Sequence, residues 1–290
     1  MSNGSFANRA LPAVRLPAAV GEALHWKSSA EGTSCYVAGG TLLRTQWEGE
    51  TAPLPQQIVS LHGIRAMYGI SLEDGMLSIG AMTSLAECCR SPLVAANAPL
   101  LAEAARQIGA PSIRTTATLG GNIASGVGDS IPVLLVLRAQ LEWHTEDGTV
   151  RIATEDWLQM VRQGTQCQGF ILQRVLIPLP SGDEVVFFRK IGRREAFTPS
   201  LVTVAFMGRP DSIGGWSNVH VAAGGGSGIA MRLARSEVLL HKGLTDLSLL
   251  ARTVKDEFVT FTDAFATAEY RAMTAGNLLA AALYKLASHD

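Results

Sequence analysis

Two glycine pairs constrain this chain more than any other feature. The first, in Val37-Ala38-Gly39-Gly40-Thr41-Leu42, ends a short apolar run that begins at Ser34. The second lies in Ala117-Thr118-Leu119-Gly120-Gly121-Asn122-Ile123. With no Cβ, glycine lets the backbone approach a ligand closely and admits positive φ. Successive N–H groups in such a turn form a concave nest that attracts anionic oxygens. Two nests carrying the Thr41 and Thr118 hydroxyls would hold a pyrophosphate without any Lys or Arg. Taken singly, each pair also reads as a plain strand terminator.

The second turn runs on into Gly128-Asp129-Ser130-Ile131-Pro132-Val133-Leu134. One reading makes Asp129 or Ser130 the cap of a helix with Pro132 in its first turn. The other has the Asp129 carboxylate accept hydrogen bonds from a ribose hydroxyl. A neutral glycine cradle with one acid fits a dinucleotide. Yet no Gly-x-Gly-x-x-Gly opens a helix after a strand, and no Gly-x-x-x-x-Gly-Lys-Ser/Thr is present.

Around these turns the periodicity sketches a mixed fold. Leu16, Val20, Ala23 and Leu24 share one face of a short helix near residues 17–26. Met67–Leu72 and Met76–Ile79 flank Glu73-Asp74-Gly75 as a hairpin, and Leu141–His144 with Thr149–Ile152 repeat the pattern. Pro99–Ile108 has helical spacing. Beyond Pro178 and Pro180 the pattern changes to three strands (185–190, 201–207, 217–223) and then helices near 234–241 and 266–287. Strands followed by helices describe a separate α+β unit.

Composition removes several function classes. Lys and Arg number 24 against 25 Asp and Glu, a net charge of −1, which leaves no basic excess for nucleic acid. Hydrophobic residues make up 47%, enough for a sizeable core, yet no apolar run approaches the roughly 20 residues of a membrane span. The first residues lack a secretory h-region, so a cytoplasmic chain is expected. Cys35, Cys88, Cys89 and Cys167 are too scattered for a disulfide framework or an iron–sulfur ligand run. The histidines show no zinc spacing, and no catalytic triad is visible, so no metal and no catalytic residue is assigned.

The order of motifs resembles the FAD-binding (medium) subunit of molybdenum hydroxylases, the xanthine dehydrogenase and carbon monoxide dehydrogenase flavoprotein family. Val37-Ala38-Gly39-Gly40-Thr41 is similar to that family's first FAD loop, and Ile79-Gly80-Ala81-Met82-Thr83 to the segment after its hairpin. Ile113 to Ile123, ending in Asp129-Ser130-Ile131-Pro132, resembles its second FAD loop over almost every position. Phe188-Arg189-Lys190-Ile191-Gly192-Arg193-Arg194 resembles its flavin-proximal basic segment. Gly224-Gly225-Gly226 with Arg232 and Glu237, and Ala268-Glu269-Tyr270-Arg271, look like its C-terminal domain. Departures fall at Leu42, where the family usually carries Asp, Glu or Ser, in the short loop 123–128, and at 227–230.

The resemblance implies an α+β fold: a two-lobed FAD-binding domain of the vanillyl-alcohol-oxidase type over 1–178 (lobes about 1–57 and 58–178), then a smaller α+β domain over 183–290. It implies FAD held by Val37, Ala38, Gly39, Gly40, Thr41, Leu42, Thr118, Gly120, Gly121, Asn122, Asp129 and Lys190. Asp129 would meet a ribose hydroxyl, and Lys190, or Arg189 if the register slips, would bring a cation near the flavin. Phe188 reads either as core or as a flavin neighbour. Molybdopterin and two [2Fe–2S] clusters are expected on a large and a small partner subunit, with NAD, oxygen or another acceptor taking the electrons. Two other readings stay open, a stand-alone flavin reductase and a flavin-free assembly subunit.

Overall fold

The computed structural model describes residues 11–165, 169–193, 200–211, 215–243 and 246–287. Cys167 and Arg194 lie outside them. The strands form three sheets in chain order. A parallel sheet, ordered β1-β3-β2, joins β1 (Ala13–Arg15), β2 (Ser34–Val37) and β3 (Gln57–Ser60). A five-stranded antiparallel sheet joins β4 (Ile70–Glu73), β5 (Met76–Gly80), β6 (Gln140–Thr145), β7 (Gly148–Ala153) and β8 (Ile171–Pro178) in the order β4-β5-β8-β6-β7. A four-stranded meander holds β9 (Val185–Gly192), β10 (Ser200–Pro210), β11 (Trp216–Gly225) and β12 (Gly228–Arg232).

The two faces of the meander serve different cores. Strand alternation puts Phe188, Ala205 and Ala222 side by side on one face, where they join the core of the preceding sheets. The opposite face carries Phe187, Val204, Phe206 and Val221 into a second core with the C-terminal helices. There the Phe187 and Phe206 rings stack at 4.9 Å, and Trp216 meets Phe206 edge-on at 5.0 Å. The C-terminal helix Ala268–Ala287 is pinned by Arg271, only 1% exposed, which donates to the Leu201 carbonyl and pairs with Asp263 at 2.7 Å. Glu237 does similar work for the helix Ala234–His241: it accepts from the Val221 N–H and pairs with Arg232.

Several sequence expectations shift on inspection. The first helix runs Val20–Ser28, so Leu16 lies before it and is 73% exposed, whereas Val20, Ala23 and Leu24 are buried. Proline at position 17 lies between them and fits a chain entering the helix late. Met67 closes a one-turn 3-10 helix instead of opening β4, and its side chain is buried. The strand β12 and the helix Leu247–Glu257 went unread, although the Asp246 carboxylate caps that helix by accepting from Ser248 and Leu249 N–H. Neither Asp129 nor Ser130 caps the helix Ile131–Val136 with its side chain.

On β11 the meander holds a histidine whose protonation opposes folding. His220 Nδ1 lies 3.0 Å from an Arg232 nitrogen, so the neutral imidazole accepts there. Burial, reinforced by the charges of Arg232 and Arg138, lowers the His220 pKa from 6.5 to about 4. Between those values the unfolded chain binds the extra proton, so stability is full above pH 6.5 and falls as pH drops toward about 4. His220→Gln should flatten that loss by about 1 kcal/mol, allowing for solvent screening of a half-exposed ring. Urea unfolding at pH 7 and pH 5 measures it; equal slopes in both proteins would contradict the assignment.

Candidate functional site

The first glycine turn is an open donor cradle. β2 leads through Ala38 and Gly39 to Gly40, which takes the left-handed conformation (φ 67°) and N-caps the helix Thr41–Glu48. Glycine has no side chain to satisfy the first N–H groups of that helix. Among the described residues nothing accepts from the N–H groups of Gly39, Gly40, Thr41 and Leu42. The Leu42 side chain is 44% exposed. Behind the cradle, a Cβ on Gly39 would lie 2.1 Å from the Thr116 carbonyl oxygen, so this turn sits directly on the second glycine segment.

The second turn is built differently from the nest expected of it. It follows no strand; Gly120 and Gly121 lie in the first turn of the short helix Leu119–Ala124. Thr118, 4% exposed, caps that helix: its Oγ1 accepts from the Gly121 N–H at 3.1 Å. The Gly120 N–H donates to the Ala81 carbonyl at 2.8 Å, and the Asn122 N–H to the Thr118 carbonyl at 3.0 Å. Its donors are therefore already paired. A Cβ on Gly120 would fall 2.6 Å from the Ala81 Cβ, so this glycine serves packing. Gly121 is exposed, and a Cβ there would come 3.8 Å from that of Ala38 across the junction of the two turns.

Asn122 carries the site onward. Its Oδ1 accepts from the Ser130 hydroxyl at 2.6 Å and from the Ser130 N–H at 3.2 Å, closing the short loop before Asp129. Asp129 then reaches the meander: its Oδ2 lies 2.8 Å from Lys190 Nζ, and its Oδ1 accepts from the Ser200 hydroxyl. Lys190 also donates to the Gln107 carbonyl at 2.7 Å, just past the end of the helix Pro99–Arg106, where the helix dipole favours a cation. With a side chain only 9% exposed, Lys190 is no ordinary surface lysine.

Register separates Lys190 from its neighbour. Lys190 pairs with Thr203 on β10, and Thr203 with Gly224 on β11, along the same face as Phe188. Arg189 falls on the other face, with its guanidinium 5.5 Å from the Phe187 ring and 3.8 Å from Glu103. Phe188 is 1% exposed within the first core, which fits the core reading. Arg193 lies over the exposed Phe265 ring at 3.9 Å. Sequence reasoning missed Ser200 and Gln107 because one acts through its position at the start of β10 and the other through its backbone carbonyl.

The first glycine turn thus lies against Thr116 at Gly39, Asn122 is bonded to Ser130, and the neighbouring Asp129 pairs with Lys190 on β9. That arrangement places an uncapped helix N-terminus and a paired lysine in a mixed helix-and-sheet protein. A family model described as the FAD binding domain in molybdopterin dehydrogenase matches residues 10–180, more than half of the chain, and the chain belongs to that family. The putative xanthine dehydrogenase FAD-binding subunit XdhB of Escherichia coli (strain K12) is 38% identical over 96 residues, 32% of this chain and 33% of that one. The carbon monoxide dehydrogenase medium chain of Hydrogenophaga pseudoflava is 36% identical over 121 residues, 41% and 42% of the two chains. The chain therefore aligns with less than half the length of each. A solved carbon monoxide dehydrogenase chain from Hydrogenophaga pseudoflava superposes with a TM-score of 0.87 at 23% identity, covering 96% of this chain and 97% of that one. That likeness establishes a shared fold.

The two glycines of the second turn should separate on mutation. Gly120→Ala forces a Cβ against Ala81 and should cost about 1–3 kcal/mol of stability. Gly121→Ala meets only the Thr118 hydroxyl closely and should cost clearly less. Denaturant unfolding of the two variants compares them directly.

Proposed function

We propose that this chain is the FAD-binding, electron-transferring subunit of a molybdopterin-dependent dehydrogenase or hydroxylase. The observation that carries this reading is the run of unpaired N–H groups from Gly39 to Leu42, backed by the Thr116–Gly121 segment. The residues fit FAD there: backbone donors at a helix N-terminus suit pyrophosphate oxygens, and the exposed Gly121 leaves room that any side chain would fill. Val37 and Ala38 shape the strand end of the cradle, Thr41 adds a hydroxyl, and Thr118 and Gly120 hold the adjoining turn in place. Asn122 fixes the loop that presents Asp129. Lys190 supplies a fixed cation, and a charge-assisted hydrogen bond from it would favour an electron-rich ligand atom.

Bound FAD supplies the redox chemistry, and the protein supplies position and electrostatics. In this reading substrate oxidation takes place on a large molybdopterin-binding partner. A small [2Fe–2S] partner passes the electrons on, and NAD, oxygen or another acceptor receives them from this subunit. The likeness to xanthine dehydrogenase and carbon monoxide dehydrogenase subunits supports this class of assembly. In this reading the chain divides into lobes about 1–57 and 58–178 and a unit from 183 to 290, with the cradle between the lobes and the lysine on the last unit. Among the described residues no helix is long and apolar enough to cross a membrane.

The test is an absorbance spectrum of the full chain, purified alone and with co-expressed partner subunits, followed by flavin release and chromatography. About one FAD per chain is expected in at least one preparation, and none in either would overturn the reading. Gly121→Leu should weaken FAD binding by about tenfold or more while the chain stays folded by circular dichroism, since its side chain would project into the space the cofactor needs.

A further inference from the structure

The group behind the Asp129–Lys190 pair performs a task that the cradle alone does not explain. Ser200 is 3% exposed at the start of β10, too deeply buried to meet a ligand in the cleft. Its Oγ–H donates to Asp129 Oδ1, and its Oγ accepts from the Gly226 N–H at 3.3 Å. The hydroxyl is thus used in both directions and cannot rotate freely. Gly226 is fixed in turn. It has a left-handed φ of 63°, and a Cβ there would lie 2.9 Å from the Phe261 ring and 3.0 Å from Arg271 Nη1. The same Arg271 nitrogen donates to the carbonyl of Leu201, the residue next to Ser200.

On the far side, Asp129 Oδ2 holds Lys190 Nζ at 2.8 Å, and the Gln107 carbonyl takes a second donor of that ammonium at 2.7 Å. An ammonium has three donors, so one remains for a ligand. The chain of contacts therefore runs Gly226 N–H, Ser200 hydroxyl, Asp129 carboxylate, Lys190 ammonium, with each member placing the next. A one-point carboxylate–ammonium contact leaves both side chains free to swing. Ser200 removes that freedom on the carboxylate side.

We propose that Ser200 is a positioning residue for the cofactor site: it locks the Asp129 carboxylate so that Lys190 presents its remaining N–H at a fixed point. The inference rests on the FAD reading above. Because Ser200 is uncharged, Ser200→Ala changes no local charge. Its effect on the cofactor is expected through Asp129 and Lys190, and the loss of the Gly226 contact is the competing route that the test separates.

A double-mutant cycle in the full chain tests it, with FAD affinity read by fluorescence quenching and the reduction potential of bound flavin by dye equilibration. Lys190→Gln should weaken FAD binding by about tenfold, and Ser200→Ala by about three- to fivefold. Both should shift the potential in the same direction. In the Lys190→Gln background, Ser200→Ala should add less than about twofold, because the group it positions is gone. An equal penalty in both backgrounds would show a general packing role and overturn the proposal, as would unchanged affinity in Ser200→Ala. Failure of the wild-type chain to bind FAD, alone or with partners, would instead remove the FAD reading and this inference with it.

Discussion

Where the turn after β2 meets the segment before the helix Leu119–Ala124, two stretches of backbone touch with no side chain between them. A Cβ on Gly39 would stand 2.1 Å from the Thr116 carbonyl oxygen, so only glycine allows the contact. The approach sets the turn after β2 against the segment around Thr116, and among the described residues the N–H groups of Gly39, Gly40, Thr41 and Leu42 have no acceptor. The first N–H groups of a helix have no intrahelical partner, and here no side chain caps them. The second glycine turn has the opposite character, with its donors paired to Ala81 and Thr118. One turn presents donors and the other is the wall against which they are held.

The meander completes the site because small residues let a helix settle on it. Ala205, Ala222 and Ala230 belong to the first core, and a Cβ on Gly224 would fall 3.1 Å from Pro132 Cγ on the helix Ile131–Val136. That close seating brings Asp129, two residues before the helix, onto the strand that carries Lys190. A longer side chain at Gly224 would lift the helix and part the ion pair. The side chain of Arg162 adds a second tie, donating to the Ala230 carbonyl at 2.7 Å. The geometry of the Asp129–Lys190 pair is thus linked to the packing of this helix on the meander as well as to loop sequence.

Much of this was legible from residue type alone. The hairpins at Glu73-Asp74-Gly75 and Glu146-Asp147-Gly148, the helix from Pro99 and the change of pattern after Pro178 follow from short-range rules of turn chemistry and periodicity. The strand-to-glycine turn at Gly40 was equally clear. What the sequence hid were long-range relations. Glycine tolerates both an open nest and tight packing, so Gly40 and Gly120 look alike until the contact with Ala81 is seen. Asp129 and Lys190 were assigned separate tasks, since nothing local indicates that β9 lies beside the loop before Ile131. Ser200 carried no motif, and Leu16 fell on an apolar helical face that the chain does not extend far enough to form.

Leu42 shows the same distinction between backbone and side chain. An acid at this position would place a carboxylate in the first turn of the helix Thr41–Glu48, where it competes for the very N–H groups the helix leaves free. Leucine competes for none of them. Its side chain is 44% exposed, while its N–H stays in the row that begins at Gly39. Recognition through main-chain donors depends on φ and ψ, which Gly40 sets, and scarcely on the side chain two residues later. The departure from the usual family residue therefore leaves the donor row intact, and what it removes is a polar contact at the rim.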